Sequence, residues 1–250
     1  MYLKSVQLRR ESVPSFEAYP FCIPAIRALH TLDLDPAVTF FVGENGSGKS
    51  TLVEAIAVAA GFNAEGGSKN FNFTTRRTDS ELHQHIQLVR GMKRERDGYF
   101  ARAESLYNVA STIEDLDSEP GGGRLIDSYG GRSLHAQSHG EAFLALAMNR
   151  FFGNGVYILD EPEAALSPTR QLSLLVIIDQ LVRERSSQLI VATHSPILLA
   201  YPTARIYLLG ASSGQIESIR YEDTEHYQVT RDFLTDRHAF LRELLARELD

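Results

Sequence analysis

The chain has 250 residues, of which 43% are hydrophobic and 23% are charged. This composition is typical of a globular protein with a sizeable core, and it excludes a largely disordered chain. The net charge of −7 excludes a surface that is basic throughout. Any contact with nucleic acid therefore depends on a local basic patch.

The chain shows no sequence signal for export or membrane insertion. Cys22 is the only cysteine, so no disulfide can form within the chain. The N-terminal residues alternate like a strand and lack the apolar block of a signal peptide. The most apolar helical run, residues 172–182, is too short to cross a bilayer. We expect a cytoplasmic protein without a membrane segment of its own.

Patterns along the chain predict an α/β fold with a mostly parallel core sheet. Residues 2–8 and 30–34 alternate between polar and apolar side chains, which is typical of antiparallel strands at one edge. Later apolar runs are typical of strands buried on both faces of a parallel sheet. These runs are residues 38–42, 156–160, 188–193 and 205–209.

The stretch between the first two buried strands predicts a separate lobe. Residues 62–150 lack the strand and helix alternation and contain Gly-rich breaks, so we expect an inserted, largely helical lobe there. Residues 1–61 and 151–250 then form the core lobe. Within the latter, residues 171–183 suit a right-handed crossover helix.

The stretch "GENGSGKST" has the pattern of a phosphate-binding loop, between a buried strand and a helix. Its glycines let successive backbone amides converge on phosphate oxygens, and the helix start adds its positive dipole end. Such a loop uses Lys49 for the β and γ phosphates, Ser50 for Mg²⁺ and Thr51 for the α phosphate. A plain turn explains the glycines but not the lysine. The predicted nucleotide-binding residues are Gly43, Glu44, Asn45, Gly46, Ser47, Gly48, Lys49, Ser50 and Thr51.

Polar residues follow the next two buried strands. Asp160 ends the strand "VYILD", where ligands of open α/β sheets bind, and is placed to hold Mg²⁺. Glu161 follows it and is placed to deprotonate an attacking water. His194, in "ATHSP", lies where a γ-phosphate sensor is useful. Taken alone, an Asp-Glu pair is usually a turn and a lone histidine is usually a surface residue.

The stretch "QSHGE" begins another helix. Ser138 and Glu141 have the spacing of a capping box. Gly140 lies in the first turn, where glycine weakens a helix. A purely structural cap accounts for Ser138 but not for Gly140.

The four motifs in this order resemble the ATP-binding cassette (ABC) class of ATPases, within it the branch of RecF-like and SMC-like proteins and small stand-alone bacterial ATPases. The resemblance implies a P-loop NTPase fold in which two subunits enclose ATP head to tail. Ser138 and Gly140 would contact the γ phosphate bound by the partner subunit. Glu161 would be the catalytic base and His194 the γ-phosphate switch, with Lys49 also in the catalytic set.

Some positions depart from the pattern of this class. His139, Glu141 and Ser167 stand where glycine, glutamine and aspartate are usual. The glutamine that touches Mg²⁺ or water is not evident, and Glu104, near the end of a predicted strand at 98–105, is its best substitute as a metal ligand. For adenine stacking, Tyr19 and Phe21 are candidates, with core packing as the alternative.

The sequence therefore predicts an Mg²⁺-dependent ATPase that closes into a homodimer when it binds ATP. We expect it to be a soluble switch or motor in DNA maintenance or defence that acts with an unidentified protein partner. Two alternatives remain: the nucleotide-binding subunit of a membrane transporter, and a non-hydrolysing ATP-gated clamp. Basic clusters at 74–77 and 90–102 could contact nucleic acid. Their acidic neighbours favour an ordinary solvated surface.

Overall fold

The computed structural model describes residues 1–69, 80–118, 124–210 and 214–246. Its strands are β1 (Leu3–Leu8), β2 (Thr31–Asp33), β3 (Val38–Val42), β4 (Ile86–Arg90), β5 (Asp97–Arg102), β6 (Gly155–Asp160), β7 (Gln188–Ala192), β8 (Arg205–Leu209) and β9 (Ile216–Ile219). Its helices are α1 (Pro24–Ala28), α2 (Lys49–Ala60), α3 (Leu82–His85), α4 (Leu106–Ser118), α5 (His139–Arg150), α6 (Pro168–Arg183), α7 (Pro196–Leu199), α8 (Glu225–Thr235) and α9 (Arg237–Ala246).

Six of the strands form the core sheet, in the order β5-β6-β7-β3-β8-β9. β5, β6, β7, β3 and β8 run parallel, and β9 is antiparallel to β8. A second sheet, β2-β1-β4, is antiparallel. The predicted α/β fold with a mostly parallel core sheet and N-terminal antiparallel strands is confirmed.

Alternate side chains of the core sheet belong to two apolar cores, because successive residues of a strand point to opposite faces. Phe40 of β3 packs with the helices of the α4–α6 side, including Phe143 of α5. Phe41 packs on the other side, with Ile56 of α2 and Val6 of β1. Burial on both faces explains why these strands are continuously apolar.

The expectation that residues 62–150 are largely helical needs correction. β4 joins the antiparallel sheet, and β5 pairs in parallel with β6 at one edge of the core sheet. The helices α4 and α5 lie only in the later part of this range. β5 overlaps the strand predicted at 98–105, but its place in the core sheet was not predicted, because its partner β6 lies far along the chain. The lobe boundaries themselves stay a prediction.

The pattern of residues 236–250 predicts an amphipathic C-terminal helix with Asp236 as its N-cap and Phe240, Leu241, Leu244 and Leu245 facing inward, and the structure differs in part. Asp236 caps α9, since its carboxylate accepts a hydrogen bond from the Ala239 backbone amide at 2.9 Å. The apolar face, however, does not point into the core. Leu241, Leu244 and Leu245 were expected inward, yet they are 36%, 51% and 49% exposed. An amphipathic pattern predicts an apolar face but not what covers it.

Two further features bear on the predicted surface. The basic cluster at 74–77 lies outside the described residues. In the cluster at 90–102, Arg90 is paired with Glu95 at 2.6 Å, and Lys69 reaches the same carboxylate at 2.6 Å. Within the described ranges, no helix is long and apolar enough to cross a membrane.

Candidate functional site

The phosphate-binding loop connects β3 to α2, and three of its glycines have positive φ: Gly43 at 150°, Gly46 at 81° and Gly48 at 97°. Gly48 immediately precedes α2, and a Cβ there would lie 2.8 Å from a methyl carbon of Ile23. A side chain is thus disfavoured at this position by both backbone conformation and space. The loop can therefore turn its backbone amides inward where the helix begins.

Lys49 is the first residue of α2, and its side chain lies within the loop. Its ammonium donates hydrogen bonds to the carbonyl oxygens of Gly43, at 2.9 Å, and Glu44, at 3.0 Å. Burial lowers the pKa of Lys49, against the opposing effect of the Glu161 and Asp160 carboxylates. A buried ammonium that donates to backbone carbonyls and lies near carboxylates is suited to binding an anion.

Asp160 ends β6 and is only 5% exposed. The hydroxyl of Ser50 donates a hydrogen bond to its carboxylate. Burial raises the pKa of Asp160 to about 6, although Arg102 and Ser50 act in the opposite direction and Glu161 and Glu104 add to the increase. Its Oδ1 is buried and lacks a hydrogen-bond partner among the described residues. A buried polar atom without a hydrogen-bond partner indicates that a further ligand binds there.

Ser50 and Asp160 fit a Mg²⁺ site of the kind found beside phosphates. Mg²⁺ in such sites uses one or two protein oxygens and takes its other ligands from water and phosphate. The bond between the two side chains and the unpartnered Oδ1 of Asp160 match this requirement. No group of three or more His, Cys, Asp or Glu side chains with metal-site geometry occurs in the described part of the chain. This finding excludes, within that part, a site built entirely from such side chains, but not one that uses Ser50 and Asp160.

Glu161 and His194 lie side by side where β6 and β7 end. The Glu161 backbone amide donates to the Ala192 carbonyl at 2.9 Å, and Glu161 has a φ of +49°, which is uncommon for a residue with a side chain. His194 Nε2 lies 3.4 Å from Glu161 Oε1. This nitrogen has no hydrogen-bond partner in the part of the chain described. Burial and then the Lys49 charge lower the pKa of His194, while Glu161 opposes the change.

The helix start at "QSHGE" is formed as predicted. Ser138 caps α5 in a capping box, and its backbone amide donates to Glu141 at 3.0 Å. Arg170 of α6 donates to the Ser138 hydroxyl at 3.1 Å and pairs with Glu141 at 3.1 Å. Ser138 remains exposed, so it is accessible to another molecule.

The structure also provides a reason within the chain for Gly140. This residue is buried, and a Cβ on it would lie 2.8 Å from the Ala165 carbonyl oxygen and 2.6 Å from Arg170 Nη1. Close packing of α5 on the turn before α6 is thus sufficient to require glycine. The phosphate contact in trans stays a prediction.

The remaining sequence candidates are placed less centrally. Glu104 is exposed and follows β5, where its charge raises the pKa of Asp160. Phe21 is 1% exposed and packs edge-on against His85 with ring centres 5.0 Å apart. Of the two alternatives for Phe21, core packing is therefore the correct one. Tyr19 is 67% exposed, and its adenine contact stays a prediction.

Four residues of the site were missed from the sequence. Arg102 lies between Asp160, at 3.4 Å, and Glu54, at 2.8 Å. Glu163 accepts a hydrogen bond from the His194 backbone amide, and His226 bonds the His194 ring at 2.9 Å. Only Glu163, inside "DEPEAALSP", had a nearby signal. The other three residues belong to no motif. They join the site only through the pairing of distant strands and the packing of the C-terminal segment.

Two family models match consecutive parts of the chain. A model described as "AAA domain" matches residues 21–124. A model described as "AAA domain, putative AbiEii toxin, Type IV TA system" matches residues 127–200. Together they span the phosphate-binding loop, the acidic strand end and His194.

Relatives and solved structures agree with these matches. The chain is 27% identical over 228 residues to the methionine import ATP-binding protein MetN of Cupriavidus metallidurans, covering 83% of this chain and 62% of that protein. It spans less than two thirds of the length of the curated relatives it matches.

Two ABC transporter structures share the fold. The cbiO1 protein from Clostridium perfringens, part of the ABC transporter complex cbiONQ, superposes with a TM-score of 0.52 at 15% identity, covering 98% of this chain and 99% of that one. MJ1267, an ATP-binding cassette of an ABC transporter, gives 0.52 at 18% identity, covering 93% and 96%. The two domain models match AAA domains, and the two structures share the fold of ABC cassettes, so sequence and fold are both similar to the AAA/ABC class of ATPase domains.

Proposed function

We propose that this protein hydrolyses ATP with Mg²⁺ as a head-to-tail homodimer. The observation that carries the proposal is the meeting of a phosphate-binding lysine, an acidic pair and a histidine at the ends of three neighbouring strands. β3 leads to Lys49, β6 ends at Asp160 and β7 precedes His194, and these strands are adjacent in the order β6-β7-β3. This is the crevice where open α/β sheets bind their ligands.

The chain's own groups hold the triphosphate. Lys49 exchanges its bonds to the Gly43 and Glu44 carbonyls for bonds to the β and γ phosphates. Ser50 and Asp160 hold Mg²⁺, and the unpartnered Oδ1 of Asp160 supports this role. When bound there, Mg²⁺ would supply positive charge that offsets the charge of the phosphates. Glu104 is proposed as a further metal ligand, since its charge acts on the pKa of Asp160.

Glu161 and His194 then act at the γ phosphate. Glu161 accepts a proton from water as the water oxygen bonds the γ phosphorus and the bond to the β–γ bridging oxygen breaks, which leaves ADP and inorganic phosphate. The left-handed backbone at Glu161 turns its carboxylate out of the strand, beside His194 Nε2 at 3.4 Å. That nitrogen is free, among the described residues, to donate a hydrogen bond to the phosphate.

The partner subunit completes the site in this proposal. The N-terminus of α5 presents Ser138 to solvent beside the buried Gly140. A second copy can therefore bring this helix start, with its positive dipole end and its hydroxyl, against the bound γ phosphate. Loss of the γ phosphate removes that contact and opens the dimer.

The wider role that we propose is a cytoplasmic switch or motor in DNA maintenance or defence, acting with a separate protein partner. The form of the signature motif supports it, and so does the toxin–antitoxin description of the second family model. The identity to a methionine import ATP-binding protein favours the alternative of a transporter subunit. Sedimentation with membranes in the native host would favour the alternative, and co-purification with a soluble partner would favour the switch.

Light scattering with and without Mg-ATP tests the dimer and the chemistry together. We expect the wild type to hydrolyse ATP and Glu161→Gln to remain dimeric in ATP with turnover at background. Glu161→Gln with Ser138→Arg should bind ATP and stay monomeric, because the new side chain obstructs the α5 start. A solution mass that changes neither with ATP nor with the Ser138→Arg substitution would overturn the head-to-tail dimer. Turnover at background in the wild type would favour the ATP-gated clamp instead.

A further inference from the structure

We propose that His226 is a positioning residue that fixes the ring and the tautomer of His194, so that α8 forms part of the nucleotide site. This inference rests on the proposed function, since it assigns a task to the γ-phosphate contact of His194. It concerns a residue for which neither the loop pattern nor the acidic motif provides a signal.

The two histidines contact each other directly. His194 Nδ1 lies 2.9 Å from His226 Nε2, and the ring centres are 5.0 Å apart with planes inclined at 57°. The opposite nitrogen of His194 faces Glu161 at 3.4 Å. The His194 ring therefore lies between His226 on one side and the catalytic carboxylate on the other. Its Nε2 is buried and has no hydrogen-bond partner among the described residues, so it is the nitrogen that we assign to the phosphate.

The segment before His226 is held firmly in place. Thr224 is 1% exposed and caps α8, accepting a hydrogen bond from the Tyr227 amide and donating one to the Tyr221 carbonyl at 2.7 Å. Gln228 donates to the Glu222 carbonyl at 3.0 Å. These bonds fix the first turn of α8, so His226 reaches His194 from a defined position and not from a loose surface helix.

α8 begins beside the phosphate-binding loop as well. A cavity of about 240 Å³ is lined by Gly43 and Glu44 of that loop, by Gly210 after β8, and by His226 and Gln228. The charge of Lys49 affects the pKa of both histidines. α8 thus faces the same crevice as the triphosphate would, although it follows the core sheet in the chain.

The hydrogen bond between the rings determines what His194 can do. A neutral imidazole has one N–H donor and one acceptor nitrogen. If His226 Nε2–H donates to His194 Nδ1, the proton of His194 must be on Nε2, which can then donate to a phosphate oxygen. If the bond ran the other way, Nε2 would be an acceptor and would repel the phosphate. Burial lowers the pKa of both rings, which favours the neutral forms that this bond requires.

Kinetics of two His226 variants test the proposal. His226→Phe keeps a ring but loses the N–H. We expect kcat to fall about 10- to 100-fold, which is the loss typical of residues that orient a metal-binding side chain. The KM for ATP should change by less than about threefold. His226→Gln places an amide N–H near the lost Nε2–H and should recover most of the rate. His238→Phe in α9 is the matched control, because His238 is exposed, and should behave like the wild type.

A double variant separates positioning from simple packing. If His226 acts only through His194, then His194→Ala with His226→Phe should be no slower than His194→Ala alone. If the rate losses of His194→Ala and His226→Phe multiply in the double variant, the proposal is overturned. A His226→Gln variant as slow as His226→Phe would overturn it as well. So would a wild-type rate in a folded His226→Phe.

A spectroscopic test does not depend on turnover. The imidazole ¹⁵N shifts of His194 should report a proton on Nε2 in the wild type and a mixture of tautomers in His226→Phe, with no change in His238→Phe. If the wild type proves not to hydrolyse ATP, the proposed function fails but this readout still decides the inference. An unchanged His194 tautomer in His226→Phe would refute it.

Discussion

Replacing Arg102 by Met should destabilise the protein at neutral pH, because Arg102 compensates two buried carboxylates. Its Nη1 lies 2.8 Å from Glu54 Oε2 and its Nε lies 3.4 Å from Asp160 Oδ2. The side chains are 21% exposed for Arg102, 13% for Glu54 and 6% for Asp160. Methionine fills a similar apolar volume and removes only the charge and the donors.

Breaking a fully buried ion pair destabilises a protein by roughly 3–5 kcal/mol, and exposed pairs contribute about 0–1 kcal/mol. Arg102 is partly exposed, so we expect Arg102→Met to lower the free energy of unfolding by about 2–3 kcal/mol at pH 7. Arg102 also holds down the pKa of Asp160, which burial has raised to about 6. The part of the loss that arises at Asp160 should shrink as the pH falls toward about 6 and should be small below it, since a protonated Asp160 carboxyl no longer needs the cation.

Urea unfolding at pH 7 and at pH 4.5 measures this loss. Arg220→Met is the matched control, because Arg220 pairs with Asp223 at 2.8 Å with 79% of its side chain exposed, and its stability should stay close to that of the wild type. In a Glu54→Gln background the Arg102→Met loss should be smaller by about 1 kcal/mol or more. A loss at pH 7 no larger than that of Arg220→Met, or one that Glu54→Gln leaves unchanged, would refute this account of Arg102.

Two other variants test packing and charge elsewhere. Gly140→Ala should lower the melting temperature even though alanine favours a helix by about 1 kcal/mol, because the new Cβ would lie 2.8 Å from the Ala165 carbonyl oxygen; a higher melting temperature would contradict the packing. At Glu95, burial raises the pKa, but hydrogen bonds from Lys69 and Arg90 outweigh it and bring the pKa down to about 2. This stabilisation is complete above the unfolded-state pKa and is lost as the pH falls through about 2, so Glu95→Gln should lower the free energy of unfolding at pH 7 by about 1–2 kcal/mol. The two proteins should become equally stable near pH 2 in urea titrations, and a constant gap would disprove the charge effect.

Much of the nucleotide site could be predicted because its signals are local. The glycines and Lys49 depend on a strand followed at once by a helix, and the Asp160–Glu161 pair depends on the end of one apolar strand. The capping box at Ser138 involves residues three positions apart. Each pattern reflects backbone geometry within a few residues, so it can be recognised without knowing what lies opposite.

Tertiary structure decided the features that depend on distant partners. The register of β5 on β6 places Arg102 opposite Asp160, and no spacing in the sequence encodes that pairing. Gly140 is needed where α5 meets the turn before α6, and His226 reaches His194 only because α8 folds back onto the core. The exposed leucines of α9 show the same limit. The sequence by itself determined which faces are apolar and which loops can bind phosphate, whereas the packing of strands and helices determined which side chains meet.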